Sequence, residues 1–278
     1  MKWNIVTDSS CDLFPAALQG GKVQISSVPF IISVGNRDFV DDETLNTAEM
    51  LDAMEHCQQA SHTSCPSPQG WIEQFEKADF CIAITISSRL SGSMNSAVLA
   101  KEMVLERYPE KKIAVLDSHS TGPEIVICVE RICDLIETGA DFEKVVSEAE
   151  TILRDTRIVF ALSSFDSLVK NGRMNKVAGF VASKLGMWGI GIGSDEGTIA
   201  IKGKTRGATK AMTMLLEDMK ERGYHGGKVI ISHCHNLVFA NRLQSKIKEL
   251  WQDAKISIMP TLGLCSYYAE RGGLIMSY

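Results

Sequence analysis

The chain has 278 residues, 45% of them hydrophobic and 23% charged, with a formal net charge of −5. That balance is too apolar for a disordered segment and too evenly charged for a polyionic tail, and the length allows a substantial buried core. The acidic excess argues against a surface built throughout to grip nucleic-acid phosphates.

Read in chain order, the first half alternates short β-rich runs with helical patterns. Trp3 to Thr7 reads as a strand that ends at the polar cluster Asp8-Ser9-Ser10. Val28 to Val34 is a further apolar run closed by a Gly35-Asn36 turn. Thr47 to Cys57 carries Met50, Leu51 and Met54 at helical spacing. His62 to Pro68 reads as a loop from its prolines, with Ser67-Pro68 starting a helix before Trp71. Phe80 to Ile86 and Ile113 to Asp117 are buried-strand patterns. Ser93 to Arg107, Glu124 to Glu137 and Phe142 to Leu153 are helical ones. Strands separated by helices predict βαβ units and a mainly parallel sheet.

The second half predicts a mixed α/β arrangement. Ile158 to Leu162 is a short strand, Phe165 to Val169 a short helix, and Val177 to Leu185 another helix. Met187 to Ile192 and Thr198 to Lys202 flank Ser194-Asp195-Glu196-Gly197, the signature of a β-hairpin. Helices at Ala208 to Arg222 and Val238 to Trp251 then alternate with strands at Val229 to Ser232 and Ile256 to Met259, and Ile275 to Tyr278 closes an edge. The most economical division lies near Asp155, giving an N-terminal α/β domain over 1–155 and a C-terminal α/β domain over 156–278 that pack tightly on each other.

Compartment follows from what the chain lacks. No run of about 18 uncharged apolar residues occurs. Met1 to Asp12 has neither the basic start nor the long apolar stretch of a signal peptide, so a cytoplasmic protein is expected. The eight cysteines are scattered without a C-x-x-C pair, which predicts reduced thiols rather than a zinc ribbon.

Three clusters of small polar residues sit where predicted strands run out, where ligands gather in open α/β sheets. They are Asp8-Ser9-Ser10, Ser87-Ser88-Arg89-Leu90-Ser91-Gly92-Ser93 and Asp117 to Gly122. Hydroxyls and glycine amides at a helix start can hold an anion, although N-capping and turn chemistry explain any one of them alone. Thr63 and Ser64 offer further hydroxyls, and Arg173 after Gly172 can orient an anionic head group. Cys65 with His62 leaves a nucleophilic pair open. His233-Cys234-His235 cannot turn all three side chains to one strand face, which opposes a metal site. Gly189, Gly191 and Gly193 alternate in a strand-like segment and open no helix, so they carry no nucleotide fingerprint.

As a set, Ile5-Val6-Thr7-Asp8-Ser9-Ser10-Cys11-Asp12-Leu13, Thr63-Ser64-Cys65-Pro66-Ser67-Pro68 and Ile86 to Ser93 resemble the DegV family. So do Val115-Leu116-Asp117-Ser118, Gly172-Arg173 and Gly203-Lys204-Thr205-Arg206-Gly207, in matching order over essentially the whole chain. The resemblance implies a two-domain α/β fold, with a mainly parallel sheet in the first domain and a mixed one in the second. It implies a long-chain fatty acid held in a cleft between the domains, no other cofactor, and no chemistry by the isolated chain. The partner implied is an ATP-dependent fatty acid kinase subunit that makes the acyl phosphate. Nucleic acid is not expected as a partner; transient contact with a membrane surface is. By the same resemblance Thr63 and Ser91 bind the carboxylate with help from the Gly92 amide, while Ser9 and Ser118 line the cleft. Arg173 meets the head group, and Lys204 with Arg206 meets the kinase subunit or its phosphate. The chain departs from the family in Pro260 to Ala269, where Cys265 stands at the position of a carboxylate-binding histidine and Tyr267 and Tyr268 replace part of a glycine-rich stretch. Either tyrosine can donate the missing hydrogen bond. The competing readings are an acyl hydrolase and a regulatory module for another acidic ligand. The first lacks a Gly-x-Ser-x-Gly elbow. Ile31, Phe160, Phe180, Leu185 and Met187 are available to line a tunnel, although plain core is the default role for each.

Overall fold

A computed structural model describes residues 2–13, 22–174 and 186–278. In the first half, four parallel strands form a sheet in the order β2-β1-β6-β7, with β1 at Trp3–Asp8, β2 at Val23–Val28, β6 at Phe80–Thr85 and β7 at Lys112–Asp117. Every residue of β1 is buried, as expected for a strand covered on both faces. On one face, Trp3, Ile5, Ile82 and Ile84 pack against α4 (Pro123–Glu137) and α5 (Phe142–Asp155). On the other, Val6, Cys81 and Ala83 pack against α2 (Pro68–Phe75) and α3 (Ser93–Arg107). Caps fix where these helices begin: the Ser67 hydroxyl accepts from Gly70 N–H ahead of Pro68, and the Asp141 carboxylate accepts from Lys144 N–H.

The run from Val28 to Val34 divides into two elements. Pro29 and Phe30 lie between the end of β2 and β3 (Ile31–Val34), which joins β4 (Arg37–Val40) and β5 (Ser61–Ser64) in a separate antiparallel sheet, β4-β3-β5. A proline has no N–H for the ladder, so a strand continuing through it is opposed. Thr63 therefore lies on an edge strand rather than in a loop, and the loop begins only at Cys65. Ile31 faces outward and is exposed, which removes it from any tunnel.

The second half builds a six-stranded mixed sheet, β10-β9-β8-β13-β11-β12. Its strands are β8 (Ile158–Leu162), β9 (Met187–Gly193), β10 (Ile199–Arg206), β11 (Gly227–His233), β12 (Ala254–Pro260) and β13 (Leu274–Ser277). The predicted hairpin is β9–β10, with a register shift between Ile201 and Gly203. β13 does not close an edge. It runs antiparallel between β8 and β11, a long-range insertion that its own residues do not announce. One face of this sheet carries Val159, Ala161 and Ile190 into a core with α7 (Ala208–Glu221) and α8 (Leu237–Leu250). The opposite face carries Ile158, Phe160 and Leu162 toward Ile32, Phe39, Met50 and Leu51 from the first half, together with α6 (Asp166–Lys170) and α9 (Gly263–Ala269). Met50 and Leu51 belong to α1 (Thr47–His56). The helix expected over 177–185, with Phe180 and Leu185, lies outside the described residues.

Candidate functional site

A carboxylate organises the serine clusters. Asp8, at the end of β1, is fully buried and accepts hydrogen bonds from Ser10 N–H (3.2 Å), Ser10 Oγ (2.5 Å), Ile86 N–H (2.9 Å) and Ser93 Oγ (2.6 Å). Burial pushes its pKa up while these donors pull it down. The loop from Ser87 to Gly92 is thus tied to β1 at both ends, and Ser91 Oγ accepts from Ser93 N–H (3.3 Å) at the start of α3. A hydroxyl that accepts there keeps its own proton for another acceptor.

Beneath that loop lies a cavity enclosing about 810 Å³ of space free of atoms, part of it continuous with solvent. Its floor is the face of the six-stranded sheet, through Ile158, Phe160 and Leu162 of β8, Gly193 of β9, Ile199 of β10 and Ile275 of β13. Phe30, Ile86 and Leu90 from the first half, with Leu264, add apolar wall. Polar side chains are the minority of the lining: Thr63, Ser91, Arg173 and Tyr268, with His119, Ser120, Thr121 and Thr198.

The expected head-group residues divide between the cavity lining and its support. Thr63, Ser91, Arg173 and Cys265 line the cavity. Thr63 Oγ1 and the Tyr268 hydroxyl lie 3.0 Å apart, and Arg173 Nε donates to the Leu90 carbonyl at 3.1 Å, tying the second half to the serine loop. Gly92 caps α3 beside them, and a side chain added there would meet Cys65 Sγ at 3.5 Å. The two tyrosines have different roles. Tyr268 faces the cavity, whereas Tyr267 is fully buried and bonds Ser61 Oγ (2.7 Å) and Asn171 Nδ2 (2.9 Å).

Ser9 and Ser118 are buried just outside the lining and bond to backbone. Ser9 Oγ accepts from Phe30 N–H (2.9 Å), and Ser118 Oγ donates to the Ser120 carbonyl (3.0 Å). Lys204 and Arg206 lie exposed on β10, apart from the residues that line the cavity. Of the remaining tunnel candidates, Phe160 lines the cavity and Met187 does not.

Two supporting carboxylates carry no local sequence signal. Asp41 accepts from the Gly263 and Leu264 N–H groups, both at 2.8 Å, and so fixes the start of α9 from 222 residues away. Asp12 accepts from Leu262 N–H at 2.9 Å. Burial raises Asp41 to about 6 and Asp12 to about 7. Cys265 is held between these groups: its thiol donates to the Ser10 carbonyl (3.4 Å), and burial, with the Asp12 charge adding to it, pushes its pKa well up. That thiol is a neutral wall. Among the described residues no group of three or more His, Cys, Asp or Glu side chains could hold a metal ion, and no helix is long and apolar enough to cross a membrane.

The protein is similar over its whole length to proteins of known structure. It is 39% identical to the Streptococcus pneumoniae fatty acid kinase (Fak) B3 protein loaded with linoleic acid, with a TM-score of 0.96 over 100% of this chain and 99% of that one. It is 37% identical to a DegV family protein from Eubacterium eligens loaded with heptadecanoic acid, with a TM-score of 0.94 over 99% and 98% of the two chains. It is also 41% identical to a DegV domain-containing protein of Streptococcus pyogenes serotype M1, over 100% of this chain and 99% of the other. The family model described as "Uncharacterised protein, DegV family" matches residues 2–276, and the chain belongs to the DegV family.

Proposed function

We propose that this protein binds one long-chain fatty acid in the cavity on the six-stranded sheet and presents its carboxylate to a separate ATP-dependent fatty acid kinase subunit. The observation that carries the reading is a mainly apolar lining with a small polar set, Thr63, Ser91, Arg173 and Tyr268 among it, that serves in this reading as the rim. Burying a methylene contributes roughly 0.8 kcal/mol, so a chain of about 15 methylenes offers up to ~12 kcal/mol before ordering costs. Hydroxyl bonds to a carboxylate add only ~1–3 kcal/mol. The tail supplies affinity, and the rim decides which end faces out. A carboxylate at the rim accepts hydrogen bonds from the Ser91 hydroxyl and from whichever hydroxyl of the Thr63–Tyr268 pair does not donate to the other, and meets the positive end of the fifteen-residue helix α3.

The division of the chain near Asp155 fits this arrangement, because the floor comes from strands after Asp155, while Phe30, Thr63, Ile86, Leu90 and Ser91 come from the first half. The chain itself then acts as a carrier, and phosphoryl transfer is the partner's chemistry. Exposed Lys204 and Arg206 are suited to meet that partner or its nucleotide phosphates. The Fak B3 protein, crystallised with linoleic acid, supports both the ligand class and the kinase assignment. The test is solvent extraction and mass spectrometry of freshly purified protein. One fatty acid per chain is expected; protein that carries none and takes up none from a fatty-acid solution overturns the reading.

A further inference from the structure

The alternating glycines of β9 have no place in the carboxylate site, yet Gly193 belongs to the cavity floor and Gly189 and Gly191 lie beside it on the neighbouring strand. Phe160 pairs with Gly191 and Leu162 with Gly189 in the β8–β9 ladder, and Gly193 pairs with Ile199 of β10. The alternate residues Ile190 and Ile192 point to the other face, into the core with α7 and α8. From Gly189 to Gly193, β9 therefore carries large side chains on one face and none on the other. Local propensity opposes the pattern, since a glycine inside a strand is destabilising relative to alanine. A reason must lie in what approaches the bare face.

What approaches is the floor itself. A Cβ built on Gly191 would stand 2.2 Å from Phe160 Cε2 and 2.3 Å from Cζ, and one on Gly193 would stand 2.6 Å from Ile158 Cγ2. Carbon atoms in contact sit at about 3.5–4.0 Å. The Phe160 ring and the Ile158 side chain thus lie down across β9 in space that only glycine leaves. On its other flank the Phe160 ring meets the Phe165 ring edge-on, with centroids 6.4 Å apart. Any side chain at 191 has to turn the Phe160 ring up from the sheet, toward the cavity that Phe160 lines.

We infer that the glycine row of β9, through Phe160 and Ile158, sets which alkyl chains the cavity admits. The row lowers two large side chains onto the sheet and so fixes the depth of the space above them. The inference rests on the fatty-acid reading and deepens it by assigning selectivity for the tail to residues remote from the carboxylate.

The test is competition. Wild type, Gly191→Ala, Phe160→Leu and the double variant Gly191→Ala/Phe160→Leu are each incubated with an equimolar mixture of straight-chain saturated acids of graded length. Bound acids are then extracted and quantified by mass spectrometry. Gly191→Ala is expected to favour shorter acids and Phe160→Leu longer ones, each changing the ratio of neighbouring lengths by about 10-fold per methylene misfit. The double variant is expected to return toward the wild-type profile, because a smaller side chain at 160 accommodates the new methyl group. If Gly191→Ala does not fold, Phe160→Leu alone decides. Unchanged profiles in every folded variant overturn this inference and leave the fatty-acid reading standing. Wild type that takes up no acid overturns that reading instead.

Discussion

The hydroxyls of Thr63 and Tyr268 meet at 3.0 Å although 205 residues separate them. An edge strand from the first half and a short helix near the chain's end bring them to one rim, beside Ser91 and Arg173. Cys265 lines the same cavity but is buried as a neutral thiol, so the hydroxyl pair is the stronger hydrogen-bonding group of the two.

This pairing separates the two tyrosines. Tyr268→Phe and Thr63→Ala each remove a rim hydroxyl, and each is expected to weaken fatty-acid binding by about 10-fold, the effect of one hydrogen bond to a charged group. Tyr267→Phe removes a bond to Ser61 and Asn171 away from the cavity. It is expected to cost about 1 kcal/mol of stability and to leave affinity unchanged. Fluorescent fatty-acid titration and urea unfolding of the three variants measure both quantities. Equal affinity for Tyr268→Phe and wild type would remove the phenol from the site.

Much of this arrangement is legible in the chain. β8 spans Ile158–Leu162 and α3 spans Ser93–Arg107, as their apolar patterns predict. The serine clusters converge because strand ends converge. The parts that local pattern does not show are long-range. β2 reads poorly because Gln24, Ser26 and Ser27 interrupt it, and Pro29 then separates it from β3, which pairs in another sheet. β13 is central only through distant partners: Leu274 pairs with Ala161 of β8 on one side and with His233 of β11 on the other. Asp41 reads as an ordinary polar residue, since the helix start it caps lies 222 residues away. Ser9 and Ser118 resemble ligand groups in sequence, but their hydroxyls satisfy buried backbone.

The basic residues of β10 are predicted to act after binding. Arg206 is exposed and apart from the cavity lining, so Arg206→Glu is expected to leave fatty-acid affinity within twofold of wild type. Acyl phosphate formation with the kinase subunit is expected to fall by at least 10-fold, through charge reversal at a contact surface. Affinity comes from direct titration, and coupling from acyl phosphate production in a reconstituted pair. Fatty-acid affinity that falls more than twofold, or acyl phosphate production equal to wild type, would contradict the assignment.

Buried acids make stability depend on pH. Burial raises Asp12 to about 7, Asp41 to about 6 and Glu124 to about 8, all above the ordinary carboxylate range. Each group therefore binds its proton more tightly in the folded chain than in the unfolded one. Its contribution is fully present below the unfolded pKa, near 4, and is lost as pH rises through the folded value. Stability is expected to fall between pH 5 and pH 8, by no more than ~1.4 kcal/mol per pH unit for each group. Glu124→Gln retains an acceptor for the Ser120 hydroxyl and is expected to flatten the upper part of that slope. Urea midpoints across this range, for wild type and variant, supply the comparison; a wild-type midpoint that rises with pH contradicts the assignment.

The cysteines distinguish a carrier from an acyl-enzyme. Cys65 is exposed, at the end of β5, close to the Gly92 cap of α3, whereas Cys265 is buried with its pKa pushed well up. Reactivity follows the thiolate and its accessibility, so iodoacetamide is expected to label Cys65 in the native protein and to reach Cys265 only on unfolding. A carrier retains its ligand without a bond to the protein. Mass spectrometry after incubation with an acyl ester is accordingly expected to find Cys65 unmodified, and Cys65→Ser is expected to bind fatty acid within twofold of wild type. A stoichiometric acyl adduct on Cys65 would instead mark a nucleophile and move the protein from carrier to enzyme.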